Sequence, residues 1–336
     1  MSYLTRKELY KQIEEKRRKP IIAYVTSIRT GCSAQMAQDV IPEIIKQINK
    51  IDSNNKEVDL LILSNGGDPI VSWRIISLLR EKFDKISVLI PYTAYSAATL
   101  LALGADEIIM HPFGNLGPID PQINISNNQG QTTTLGYEDI TKYIEFVKGI
   151  GITDQELVAR AFDKLTSEIP PTLIGFAKRS SQLGLSMGEK LLKTHMKDEN
   201  KIKVISETLN TKFYHHGYPL GRKEAKDIGL PIQDVSDDIK DLMWKITEDF
   251  MDELEFDKPF NPNIIIQEKL SQQPQPEPNI PNVISEQVKH VCLESIKMNS
   301  YTALDIVATY VMQEDTSLNT NIMINSGPWI NEEGEE

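Results

Sequence analysis

Four short apolar runs, each followed by a turn or loop, constrain this chain more than any other feature. Residues 21–25 (IIAYV), 58–63 (VDLLIL), 86–90 (ISVLI) and 107–110 (EIIM) are rich in β-branched side chains and too short to be helices. A strand that is apolar on both faces has to be covered on both faces. The intervening segments supply the cover. Met36, Val40, Ile44, Ile45 and Ile48 recur at helical spacing within 35–49, and Pro42 lies inside that pattern, where it starts or kinks the helix. Pro69 opens a helix that runs to about Phe83. Ala97, Ala98, Ala102 and Ala105 suit a closely packed, buried helix. Strict alternation of strand and helix predicts right-handed βαβ units, hence an α/β fold with a parallel sheet and helices on both faces.

The rest of the chain divides by composition. Residues 5–17 read as a charged surface helix, 111–136 as turn-rich, and 138–212 as mostly helical. Residues 219–232 read as turn, short helix and glycine stop, and a last helix covers 235–254. One domain is therefore expected over 1–254. The prolines and glutamines of 255–282 predict a linker that forms no core. Val283, Val288, Val291 and Ile296 predict a small helical appendage over 283–313, and the polar end, 314–336, reads as a disordered tail.

A net charge of -12 argues against a nucleic-acid partner, which needs a basic footprint. Cys32 and Cys292 lie far apart, with no Cys or His spacing that suggests a metal, and read as reduced thiols. The opening MSYLTRKELYKQIEEKRRK lacks the apolar core of a signal peptide. No stretch reaches the roughly 18 uncharged apolar residues of a membrane span. A cytoplasmic protein is expected.

Two segments carry chemistry. Ser64-Asn65-Gly66-Gly67-Asp68 follows the second strand. Its paired glycines permit positive φ, and their N–H groups, leading into a helix N-terminus, can donate to an oxyanion. A plain tight turn reads equally well from these residues alone. Tyr95-Ser96-Ala97-Ala98 marks the exit of the third strand into the small-residue helix. Ser96 there is either a helix N-cap or a nucleophile lifted on a sharp turn, with the Ala97 N–H joining those of Gly66 and Gly67 around a tetrahedral oxyanion.

SNGGDP, then YSAATLLALGADEIIM and GNLGPIDPQI, and later HGYPLGRKEAKDIGLPI, resemble the serine dehydrogenase proteinase family. That family belongs with signal peptide peptidase A, the Clp protease proteolytic subunit and the crotonases. The similarity runs over residues 20–235. It implies a Clp/crotonase-like sheet of repeated βαβ units with a helical C-terminal extension, and Ser96 as the nucleophile of a serine peptidase. It further implies that Gly117, Pro118, Ile119 and Asp120 line a substrate groove, and that the protein is a homo-oligomer.

A serine hydroxyl needs a base. The Clp subunit's histidine lies some two dozen residues after its serine, whereas here His111 follows Ser96 by only 15 positions. Asp120 stands nearer the expected place, but a carboxylate is a poor base for a serine. The signal peptide peptidases use a lysine 40–50 residues on, and Lys142 follows Ser96 by 46. Desolvation would lower its pKa toward neutrality. Lys148 is a weaker candidate. His215 and His216 are adjacent, so their side chains diverge, and no third metal ligand accompanies them.

The expected function is ATP-independent cleavage of extended peptide or protein segments by a Ser96–Lys142 dyad, with no metal or organic cofactor. His111, His215 and His216 stand as alternative bases. A crotonase-like acyl-CoA enzyme and an inactive oligomeric scaffold are the competing readings.

Overall fold

The computed structural model describes residues 2–126, 132–273, 279–313 and 317–334. Helix α1 (Tyr3–Arg17) leads into strand β1 (Ile21–Thr26), followed by α2 (Val40–Lys50), β2 (Glu57–Leu63), α3 (Pro69–Arg80) and β3 (Lys85–Ile90). The short β4 (Thr93–Ala94), α4 (Ala97–Leu103), β5 (Glu107–Met110) and β6 (Asn115–Leu116) come next. An antiparallel pair, β7 (Gln122–Ser126) and β8 (Thr132–Gly136), precedes α5 (Tyr137–Gly149), α6 (Gln155–Glu168), α7 (Pro171–Leu192) and α8 (Glu199–Thr211). Then follow β9 (Leu220–Gly221), α9 (Arg222–Ile228), β10 (Ile232–Gln233), α10 (Asp237–Glu253) and α11 (Pro262–Ser271). The chain closes with β11 (Asn282–Glu294), β12 (Met298–Met312), β13 (Leu318–Ser326) and β14 (Ile330–Glu333).

The main sheet runs β10-β5-β3-β2-β1-β11-β12-β13, with β14 also on β12. From β10 to β1 every pairing is parallel; from β1 onward every pairing is antiparallel. All six residues of β1 are buried. Its side chains alternate between two cores. Ile22 and Tyr24 face α2, α3, α4 and α7, while Ile21, Ala23 and Val25 face α1 and α10. Each fully buried isoleucine or valine among them contributes roughly 1.5–3 kcal/mol of transfer free energy.

Helix α1 is no surface helix. Tyr10 and Ile13 are fully buried, and so is Arg6. The Arg6 guanidinium bonds Glu294 through Nε (2.9 Å) and Nη2 (2.6 Å), pairs with Asp249 and Glu253, and lies 4.1 Å over the Phe250 ring. Tyr10 donates to the same Glu294 at 2.8 Å. One buried cation thus fastens α1, α10 and β11 together.

The C-terminal expectations need correction. Residues 283–313, expected to be helical, form β11 and β12, and they extend the main sheet through Ala23↔Glu294 to Thr26↔Val291. The physical reason is period 2: Thr302, Leu304, Ile306, Ala308 and Tyr310 share one face of β12. Ile284, Ile306, Ala308 and Tyr310 pack beneath α11, which lies inside the segment expected to be a linker; residues 274–278 of that segment fall outside the described residues. Within the expected disordered tail, 318–326 and 330–333 are strands, whereas 314–316 and 335–336 fall outside the described residues.

Candidate active site

At the end of β2, Ser64 forms a bridge to β4: its N–H donates to Thr93 O (2.9 Å) and its carbonyl accepts from Tyr95 N (3.0 Å). Its buried hydroxyl lies 2.7 Å from Thr26 Oγ1 and accepts the Gly66 N–H at 3.0 Å. Gly66 has φ +97°, and a Cβ there would sit 2.5 Å from Tyr95 O and 2.9 Å from Ser96 Cβ. Only glycine fits, because the loop backbone lies directly against the serine turn. The bridge from Gly67 to Met36 uses Gly66 O and Asp68 N (2.8 and 2.9 Å), which leaves the Gly67 N–H out of it. Asp68 caps α3 through Ile70 N at 2.8 Å, with Pro69 at the first helical position.

Ser96 has φ 52° and ψ -115°, a backbone conformation that costs a non-glycine residue about 1–3 kcal/mol. It occupies the N-cap place of α4 but makes no capping hydrogen bond, so capping does not account for it. The Ala97 N–H is the first of α4 and has no carbonyl of its own helix to bond. The strained turn is held from behind. The Thr99 hydroxyl lies 2.7 Å from Ala94 O and 2.9 Å from Gly117 O, and it accepts the Gly117 N–H at 3.0 Å. All seven residues of α4 are buried.

Ser96 opens on a cavity of about 460 Å³ lined also by Gly67, Leu100, Ile119, Leu183 and His216. Among the described residues lining it, no side chain but that of His216 is ionisable. His216 Nδ1 lies 2.9 Å from Asp120 Oδ1, and Asp120 Oδ2 accepts from Gln122 Nε2 at 2.6 Å. His216 and Gln122 also border a neighbouring cavity of about 840 Å³, which Lys142 lines.

Lys142 lacks the desolvation expected of it. Its side chain is 58% exposed, and Nζ lies 2.6 Å from Glu145 Oε2. That hydrogen bond and charge raise its pKa. The buried side of α5 is formed by Ile140 and Val147, so Lys142 falls on the open side, and Lys148 is exposed as well. His111 is buried, stacks on Trp244 at 5.4 Å and accepts the Phe113 N–H at Nδ1, and burial lowers its pKa. It lines neither of these two cavities. His215 is exposed, borders only the larger of the two, and accepts the Gly217 N–H.

The 117–120 segment is braced from within. Gly117 is tied to Thr99 on both sides, a Cβ on it would meet the Tyr95 ring at 2.8 Å, and Ile119 N donates to Leu209 O at 2.9 Å. Ile119 and Pro121 line the Ser96 cavity, while Asp120 turns to His216. Sequence reasoning named Asp120 and His216 separately and missed the pair. The missed signal was chain order, since Ser, then Asp, then His is one of several orders in which such groups occur. Cys32 and Cys292 are free and buried. Among the described residues no cluster of three or more His, Cys, Asp or Glu is arranged to hold a metal, and no helix is long and apolar enough to cross a membrane.

The chain is 29% identical over 192 residues to the uncharacterized protein MJ1495 of Methanocaldococcus jannaschii, covering 56% of each. It is 30% identical over 202 residues to MJ0137 of the same organism, covering 60% of this chain and 62% of the relative. The chain thus spans less than two thirds of the length of these curated relatives. Among solved structures it is similar to the 1510-N membrane-bound stomatin-specific protease, at 18% identity and TM-score 0.41, covering 67% of this chain and 83% of that one. It is also similar to ClpP1 from Listeria monocytogenes, at 14% identity and TM-score 0.31, covering 68% and 98%. Residues 2–256, from α1 through α10, match the family model described as ClpP-like SDH-type serine proteinase, and the chain belongs to that family.

Proposed function

We propose that this chain hydrolyses peptide bonds through Ser96, with His216 as the base and Asp120 as its orienting carboxylate. The observation that carries the reading is the 2.9 Å contact between His216 Nδ1 and Asp120, made by a histidine that shares the cavity of the strained, uncapped Ser96. With Nδ1 engaged, Nε2 is the nitrogen available to the serine proton. Ser96 Oγ attacks the carbonyl carbon as His216 takes its proton. The negative oxygen is held by the Gly67 and Ala97 N–H groups; Gly66, whose N–H is engaged by Ser64, contributes shape rather than a donor. The C–N bond breaks as His216 returns the proton to the leaving amine, and a water repeats the sequence on the acyl-enzyme.

The reaction consumes water alone, so ATP-independent turnover of short extended peptides is expected. The test is fluorophosphonate labelling with peptide mapping, together with peptide turnover, on wild type, Ser96→Ala, His216→Ala and Lys142→Ala. The proposal expects label on Ser96, lost in Ser96→Ala and strongly slowed in His216→Ala. Loss in Lys142→Ala with His216→Ala unaffected would return the base to the lysine. An unlabelled wild type would favour a scaffold or an acyl-CoA enzyme.

A further inference from the structure

The two ends of the main sheet are built differently. At one end β10 is two residues long and follows Pro231, so it offers almost nothing to pair with. At the other end β13 is nine residues long, pairs with β12 in unbroken register, and has no strand on its outer side among the described residues. Exposed edges are normally protected by charge, proline, a bulge or shortness. β13 (LNTNIMINS) has none of these. The uncharged stretch of sequence runs from Thr316 to Asn331, in a chain of which 25% is charged and whose net charge is -12.

Apolar surface accompanies the bare edge. Leu318, Met323 and Ile324 are 46%, 57% and 43% exposed. Helix α11 covers Ile306, Ala308 and Ile322 but leaves Leu318 and Ile324, on the same face, open. The edge is also held in place. Beyond it Gly327 N donates to Ala303 O, Trp329 Nε1 donates to Asp39 at 2.8 Å, and β14 returns to β12.

We propose that β13 is the edge through which two copies of this chain pair, antiparallel, into one sheet continuous across both. Two arguments select a second copy over another partner. Two chains of charge -12 repel each other, and a charge-free edge is where their contact costs least; a charged partner gains nothing there. The strand also matches itself. A two-fold axis through Ile322 sets Asn319 opposite Asn325 of the second copy, Thr320 opposite Ile324, and Asn321 opposite Met323. The open Leu318 and Ile324 then fall between the two α11 layers. Such pairing is closed, because among the described residues each copy has one such edge and uses it.

The test uses the full chain. Light scattering after gel filtration should give wild type a mass that halves in Asn321→Lys/Met323→Lys, because the introduced charges meet across the axis. Circular dichroism and active-site labelling of the variant should be unchanged. Separately, oxidised Ile322→Cys should cross-link to a dimer and Leu318→Cys should not, since only position 322 stands opposite itself; the native cysteines are buried. A mass unchanged by the two lysines overturns the proposal, and so does an Ile322→Cys protein that stays uncross-linked while Leu318→Cys links.

Discussion

The parallel half of the sheet, β10 to β1, and the antiparallel half, β11 to β13, share one ladder but follow different rules. In the parallel half, β1 is buried along its whole length, the strands read as unbroken apolar runs, and helices cover both faces. In the antiparallel half, β11 and β12 are buried where they lie beside β1 and more open beyond it, α11 covers one face of that far part, and β13 is open almost throughout. The chemistry sits where the first half ends. The carboxyl ends of β2 and β3 deliver Ser64–Asp68 and Thr93–Ser96, as expected for ligands in α/β sheets. Among the described residues, the second half contributes none to the lining of the Ser96 cavity. On the two proposals above, one half serves reaction and the other attachment, and substitutions should separate them.

The largest expected effect lies on the reaction side. His216→Ala should lower kcat by about 10²–10⁴-fold, the usual contribution of a general base, with the urea midpoint little moved. Steady-state kinetics beside an unfolding curve checks both. A parallel loss of stability would mean that the His216–Asp120 contact is a structural brace. On the attachment side, Arg6→Ala leaves Glu294, Asp249 and Glu253 without their buried cation and should cost about 3–5 kcal/mol in urea unfolding. The fraction still folded should keep its rate of fluorophosphonate labelling. A labelling rate that falls in step with stability would dissolve the distinction between the halves.

Acid should act on the same junction. Burial alone would raise the Glu253 pKa, but Arg6 and Lys289 outweigh it and hold the carboxyl below its ordinary value. A depressed carboxyl stabilises the fold above its unfolded pKa, and that contribution fades as pH falls through the folded value. Thermal midpoints followed from neutral pH down through and below the ordinary carboxylate range should therefore fall more steeply for wild type than for Glu253→Gln, and parallel curves would contradict this. The smallest effect is expected at Lys142→Ala, where kcat/KM should stay within about twofold because the exposed amine is held protonated by Glu145.

Much of the parallel half was legible in the sequence, because its strands are apolar runs whose period and bounding turns are local. The serine turn was legible for the same reason: SNGGDP and YSAA sit where two such runs stop. The base was not. His216 lies 120 residues beyond Ser96 and reaches the cavity on the loop after α8, by way of packing that no local pattern encodes. Lys142 has the right spacing but faces outward, and spacing says nothing of facing. Arg6 reads as a surface residue until Glu294, 288 positions away, is seen to meet it. The C-terminal strands were misread because Val283, Val288 and Val291 also fit helical spacing. The period-2 face of β12 permits a strand as well, and the free edge of β1 gives β11 a place to pair.

That pairing of β1 with β11 has a consequence for how the chain is made. β1 and β2 leave the ribosome early, yet the strand that closes the other side of β1 begins about 220 residues after β2 ends. At roughly 5–20 residues per second, the apolar edge of β1 waits about 10–40 s for its neighbour. During synthesis the most buried strand of the finished protein is thus a temporary edge, open to other nascent chains and to the chaperones that shield such surfaces.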